Sequence, residues 1–91
     1  MTKSQLVDAL VAEHGHPRRV FEIVVNVMFD QMVEAMQRGE RVEIRGFGNF
    51  TIRDYKSYVG RNPKTGIAVD VSEKRMPFFK AGKALKDALN D

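Results

Sequence analysis

Arg41-Val42-Glu43-Ile44-Arg45-Gly46-Phe47-Gly48-Asn49-Phe50-Thr51-Ile52-Arg53 is the stretch on which the fold turns. Its first five residues alternate apolar and charged with period two, the pattern of a half-buried strand. Gly46-Phe47-Gly48-Asn49 carries two glycines and reads as a turn. Phe50 to Arg53 resumes the alternation, so the two halves form a hairpin. Val42, Ile44, Phe50 and Ile52 should face the protein's interior. Arg41, Glu43, Arg45, Thr51 and Arg53 should face water or a ligand.

Downstream, from Asp54 to about Arg75, apolar residues thin out. Tyr55 to Val59 is extended, Gly60-Arg61-Asn62-Pro63-Lys64-Thr65-Gly66 is a turn cluster, and Ile67 to Val71 is strand-like. Two strands around a glycine-bounded tip make a β-ribbon. A lone ribbon is marginal in water, so this one is expected to project as a mobile arm. Phe78 and Phe79 mark the return to the core. A short helix follows over about 83–91, with Ala84, Leu85, Ala88 and Leu89 inward and Lys83 and Lys86 outward.

Upstream lie two helices. Thr2 and Gln5 form a capping-box pattern, Leu6, Val7, Leu10 and Val11 share a face, and Gly15 stops the helix. The second helix should run from about Pro17 to Arg38 and end at Gly39. At 100° per residue, Val20, Phe21, Val24, Val25, Val27, Met28, Phe29, Met32, Ala35 and Met36 cover an arc of about 200°, against about 100° for a face that packs on one core. Either this helix is buried on two sides within the chain, or it packs on a second chain. The rest of the sequence offers little to cover it, which favours an obligate dimer. The expectation is an α+β fold in a single domain over 1–91. Its helical dimerisation part covers about 1–40, and the sheet and arm about 41–80.

Composition narrows the function. The chain has 91 residues, 43% hydrophobic and 30% charged, with no cysteine. Disulfides, thiolate metal sites and cysteine nucleophiles are excluded together, which fits a reducing compartment. No run of about 18 apolar residues suggests a membrane span, and the first residues lack a secretory pattern. His14 and His16 flank a glycine without metal-ligand spacing. No serine sits in a nucleophile elbow, and no glycine loop ends in GKS or GKT. The sequence therefore reads as a binder, with no catalytic residues, metal or cofactor. The net charge is +3, and it is unevenly placed: residues 1–45 carry −1 and residues 46–91 carry +4. A polyanion is the partner such a basic half fits, and a projecting β-ribbon bearing Arg and Lys has the right shape to enter a DNA groove. Pro63 has two readings. It could stiffen a turn, or act as an apolar wedge between base pairs.

Gly46-Phe47-Gly48-Asn49-Phe50, the arm motif Gly60 to Gly66, and Phe79-Lys80-Ala81-Gly82-Lys83-Ala84-Leu85-Lys86 together resemble the bacterial HU and integration host factor family of histone-like DNA-binding proteins. The resemblance spans the whole chain. It implies an intertwined homodimer or heterodimer on a helical base, with two arms reaching into the minor groove of double-stranded DNA and Pro63 intercalating. It also implies a cytoplasmic, nucleoid location. Arg61, Asn62 and Lys64 match the family's arm-tip contacts. Arg53, Lys56, Lys74, Arg75, Lys80, Lys83 and Lys86 match its saddle and flanks, and Lys3 adds a charge on the first helix. Phe21, Val25, Met28, Phe29, Met32, Phe47, Phe50 and Phe79 are expected at the dimer interface. The main expectation is a largely sequence-independent DNA-bending protein of the HU type. The alternative is a sequence-preferring subunit, because Arg41 to Arg45 resembles the integration host factor β branch, in which the Glu43 and Arg45 positions lie at the DNA surface. The arm departs from many HU proteins, which carry more arginine between positions 53 and 60, where this chain has Asp54, Tyr55 and Tyr58. Two further classes remain: a single-stranded nucleic-acid binder using Tyr55 and Tyr58 as platforms, and a protein-interaction domain.

Overall fold

The computed structural model describes residues 1–91, which divide into two compact units, residues 1–35 and 36–91. In the first, α1 (Lys3–His14) begins with the capping box the sequence predicts: the Gln5 N–H donates to Thr2 Oγ1 at 3.1 Å, and the Thr2 N–H donates to Gln5 Oε1 at 2.9 Å. These bonds satisfy amides that a helix start leaves without partners. Gly15 adopts the left-handed conformation (φ 66°) and closes the helix by donating to the Val11 carbonyl at 3.0 Å. Pro17 then precedes α2 (Arg18–Gln37). The first residue of α2, Arg18, hydrogen-bonds Asp8, Glu22 at 2.9 Å and the Ser4 hydroxyl at 3.1 Å. The Asp8 hydrogen bond is the main cause that raises the pKa of this guanidinium.

Val7 and Val25 are the only apolar side chains fully buried, at 3% and 2% exposure. Val25 therefore belongs to the chain's own core, which corrects its expected place at a dimer interface. Phe21 and Met32 are half-buried, while Val20, Val24, Val27, Met28 and Phe29 stay exposed, Met28 by 56%. Ile23 and Val33, which lie outside the predicted arc, are exposed as well. The apolar surface of α2 is thus broader than expected.

The second unit contains β1 (Val42–Ile44), β2 (Gly48–Tyr55), β3 (Tyr58–Arg61), β4 (Ala68–Val71), β5 (Lys74–Ala81) and α3 (Lys83–Leu89). The first turn is built as the glycines demand: the Phe47 N–H donates to the Ile44 carbonyl at 2.9 Å, and Gly46 takes φ 84°. A positive φ at this position suits glycine. All pairings are antiparallel, with sheet order β1-β2-β5 and a separate β3-β4 ladder. The central strand is thus β2, and its long partner β5 was not expected as a strand. Phe78 and Phe79, both expected in the core, part to opposite faces in β5. Neighbouring residues of a strand point to opposite faces, and a sheet wet on one face can carry an exposed aromatic.

Cross-strand pairs sort the side chains. Phe50 opposes Val42 and Phe79, Ile52 opposes Pro77, and Gly48 opposes Ala81. On this aromatic face the Phe79 ring lies 4.8 Å from Phe50 and 5.4 Å from Phe47, centroid to centroid. Phe50 is half-buried, while Phe47 and Phe79 keep part of their surface open, as does Ile44. Of the inward side predicted for α3, only Leu85 is half-buried; Leu89 is 76% exposed.

Gly48 makes this packing possible. A Cβ there would stand 2.5 Å from Phe79 Cζ and 2.6 Å from the Lys80 carbonyl oxygen, so the Phe79 ring occupies the space a side chain would take. Gly48→Ala is expected to destabilise the fold by about 1–3 kcal/mol, the usual cost of overpacking, measured by urea unfolding at fixed protein concentration. A stability equal to the parent's would contradict the close approach.

Candidate nucleic-acid interface

The other face of the three-stranded sheet is polar. Glu43 opposes Asn49, Asn49 opposes Lys80, Thr51 opposes Phe78, Arg53 opposes Met76, and Tyr55 opposes Lys74. Three expected DNA-binding residues, Arg53, Lys74 and Lys80, are therefore brought onto one surface by strand parity. The Arg53 guanidinium lies 3.5 Å above the Phe78 ring centroid. A flat guanidinium stacked on a ring keeps its N–H edge free for a partner while losing rotamer freedom. Neither Phe78 nor Met76 was anticipated here. The signal available in the sequence was the Phe78-Phe79 doublet itself, which a strand must split between its two faces.

At the sheet's edge Arg41 and Glu43 form an ion pair, and Arg45 sits exposed in the turn. The sheet then continues into the arm. Tyr55 pairs with Lys74 and Tyr58 with Val71, so residues 56–57 and 72–73 leave the ladder together, two from each strand, with no slip of register. Lys56 lies in this gap. Beyond it every residue from Arg61 to Asp70 is exposed, including Ile67 at 65%. Ile67 lies in the tip, one residue before the strand it was expected to begin.

The tip is tightly tied. The Gly66 N–H donates to the Asn62 carbonyl at 2.7 Å, and the Asn62 N–H donates to the Ile67 carbonyl at 3.0 Å. Asn62 Oδ1 accepts from the Lys64 N–H at 2.9 Å, and Thr65 Oγ1 accepts from the Ile67 N–H at 3.3 Å. Gly66 has φ 71°. Pro63 stands within this loop, exposed, where its missing N–H leaves nothing unsatisfied. The Asn62 carbonyl oxygen serves the loop, leaving its NH2 as the group free for a partner.

The remaining expected residues are scattered. Lys83 and Lys86 are exposed on α3. Lys3 belongs to the first unit, where its ammonium donates to Asn26 Oδ1 at 2.7 Å. Arg75 is the correction. Strand parity puts it with Pro77 and Phe79, on the face opposite Arg53, Lys74 and Lys80, and its guanidinium donates to the Met36 and Gln37 carbonyls, both at 3.2 Å. It does not share the surface that Arg53, Lys74 and Lys80 form. No three His, Asp or Glu side chains gather to hold a metal, and no helix is long and apolar enough to cross a membrane.

Three comparisons bear on this surface. A family model described as bacterial DNA-binding protein matches residues 1–90. The chain is 45% identical to integration host factor subunit beta of Pseudoalteromonas atlantica over 92 residues, covering 100% of this chain and 96% of that one. Among solved structures, an HU–DNA cocrystal from Anabaena superposes with TM-score 0.85 at 32% identity, covering 98% of this chain and 97% of the other. HU from Thermotoga maritima superposes with TM-score 0.67 at 26% identity, covering 98% of each chain.

Asn62→Ala removes the side-chain acceptor that holds the tip. The expected result is faster hydrogen exchange at the Lys64 amide, with a local cost of about 1 kcal/mol and unchanged protection in β2. Unchanged exchange at Lys64 would show that the backbone bonds alone hold the loop.

Proposed function

We propose that this chain, which belongs to the bacterial HU and integration host factor family of DNA-binding proteins, bends double-stranded DNA with a sequence preference set at the edge of its sheet. As a member of that family it is an architectural DNA-binding protein and not an enzyme. It works as a dimer with a second copy or a related subunit, on the bacterial nucleoid. The exposed apolar band of α2, from Val20 to Val33, is the surface such a partner covers.

The work divides between parts of the second unit. Arg53, Lys74 and Lys80 on the polar face, with Lys83 and Lys86, supply phosphate attraction. Arg61 and Lys64 attach the arm, and Pro63 between them is the wedge that unstacks a base step. Bending a 20–30 base-pair site costs on the order of 1–6 kcal/mol, and unstacking adds about a few kcal/mol per step. Neutralising several phosphates per subunit is the favourable term large enough to offset both. Apolar wedges between base steps are a recurring device of proteins that bend DNA from the minor groove.

Glu43 is the observation that favours sequence preference. A carboxylate on a surface meant for a polyanion weakens attachment that rests on charge alone. It is useful where it steers an arginine, as it does Arg41, or accepts from a cytosine amino group. The 45% identity to an integration host factor β subunit points the same way. Sequence-independent binding is the second reading, favoured by the close superposition on the Anabaena HU–DNA structure.

Pro63→Ala should lower the bend, read as fluorescence transfer between the ends of a labelled duplex at saturation, with a smaller loss of affinity. A parental bend angle would remove the wedge. Glu43→Ala and Arg45→Ala should each cost about 1–3 kcal/mol on a preferred duplex selected from a random pool, and far less on unselected DNA. Equal effects on both pools would favour the sequence-independent reading.

A further inference from the structure

We infer that Arg75 is a positioning residue, which ties the root of the arm to the C-terminal end of α2 and so fixes where the tip delivers Pro63. The inference rests on the reading that the arm carries Pro63 to a duplex. Four observations support it.

Arg75 is the second residue of β5, two positions beyond the 72–73 gap, and is therefore the last side chain of its face before the arm leaves the sheet. Each guanidinium nitrogen has a partner: Nη1 donates to the Gln37 carbonyl and Nη2 to the Met36 carbonyl, both at 3.2 Å, and Nε lies 3.6 Å from the Asp54 carboxylate in an ion pair, with about half of the side chain still exposed. Asp54 is its cross-strand partner, so both strands of the root meet at this one group. Finally, α2 has no basic residue of its own in its last turn. The final carbonyls of a helix lack intrahelical partners and carry the negative end of its dipole. A guanidinium offers them two parallel donors and a positive charge, which an ammonium cannot match in geometry.

Leverage gives this contact consequence. Eight residues separate Tyr55 from Pro63, which at about 3.3 Å per residue is a lever of roughly 26 Å. A swing of about 10° at the root moves the tip by roughly 4.5 Å, more than the ~3.4 Å between successive base pairs. An arm whose root is unclamped would reach the groove and bind, yet present its wedge to the wrong step. Asp54, which departs from the arginine-rich arms of many HU proteins, is explained by the same contact: it holds Arg75 on the arm side while α2 holds it on the other.

The experiment uses the full chain and a duplex labelled at both ends, comparing the parent with Arg75→Ala and Arg75→Lys. Folding is checked by circular dichroism and thermal melting. A positioning role predicts lower energy transfer at saturation, in the order parent, Lys, Ala. It predicts an affinity loss under about fivefold and an unchanged slope of log K against log salt in both variants. A phosphate contact predicts the opposite: Arg75→Ala flattens the slope by about 0.9, and Arg75→Lys keeps both the parental slope and the parental bend. A flattened slope in Arg75→Ala, or a parental bend in either folded variant, overturns the inference. If Arg75→Ala does not fold, Arg75→Lys carries the test by its bend alone. A parent that shifts no duplex at low salt sinks the DNA-bending reading itself, which is a separate failure.

Discussion

The pairing of β2 with β5 is the constraint from which the rest of the second unit follows. Eight residues of each strand oppose one another without a bulge, and the same register resumes in the arm after the two-by-two gap. Side chains alternate strictly along a strand, so a slip of one residue would exchange the two faces. With β5 slipped, Lys74 and Lys80 would then lie on the face of Phe50, and Phe79 on that of Arg53. Gly48 pins the register, because the Phe79 ring fits only where residue 48 has no side chain.

The arm combines a tied tip with an uncovered shaft. Val59 and Val69 are exposed apolar residues on a two-stranded ladder, and Ile67, at the end of the tip, is exposed as well. Such a ladder gains little from burial and flexes at low cost. The Asn62 and Thr65 side chains and the left-handed Gly66 close the loop around Pro63. A stiff end on a yielding stem suits a wedge that must keep its shape while following a groove. The interruption at 56–57 and 72–73 removes ladder bonds from both strands at one level and so concentrates bending there without displacing the tip's register.

The first unit shows why one chain alone is a poor fold. Val7 and Val25 are its only fully buried apolar side chains, while a continuous band of α2 remains open. Small domains bury too little surface to offset chain entropy comfortably. A partner covering α2 would supply the missing burial, and in an obligate dimer stability cannot be separated from association. The polar contacts of Arg18 and Lys3 are exposed and contribute little by comparison. Their effect is to fix how α1 meets the start of α2.

Local patterns determined much of this protein. The capping box at Thr2, the stop at Gly15, the hairpin of Val42 to Ile52 and the exposed turn at Pro63 all rest on contacts within a few residues, so short windows reveal them. The arm motif also made the family legible, and with it the DNA partner. Three matters were decided only by tertiary structure. Val25 sits within the apolar arc of α2, and nothing in periodicity tells which part of a wide arc its own chain will cover. Phe78 and Phe79 look alike in sequence, and only membership of β5 sends one ring to the aromatic face with Phe47 and Phe50 and the other beneath Arg53. Arg75 reads as one more basic residue of a basic segment, yet its partners are carbonyls some 38 and 39 positions away. Charge composition records that a cation is present. Which anion or dipole it meets depends on long-range strand pairing, and no local pattern encodes that.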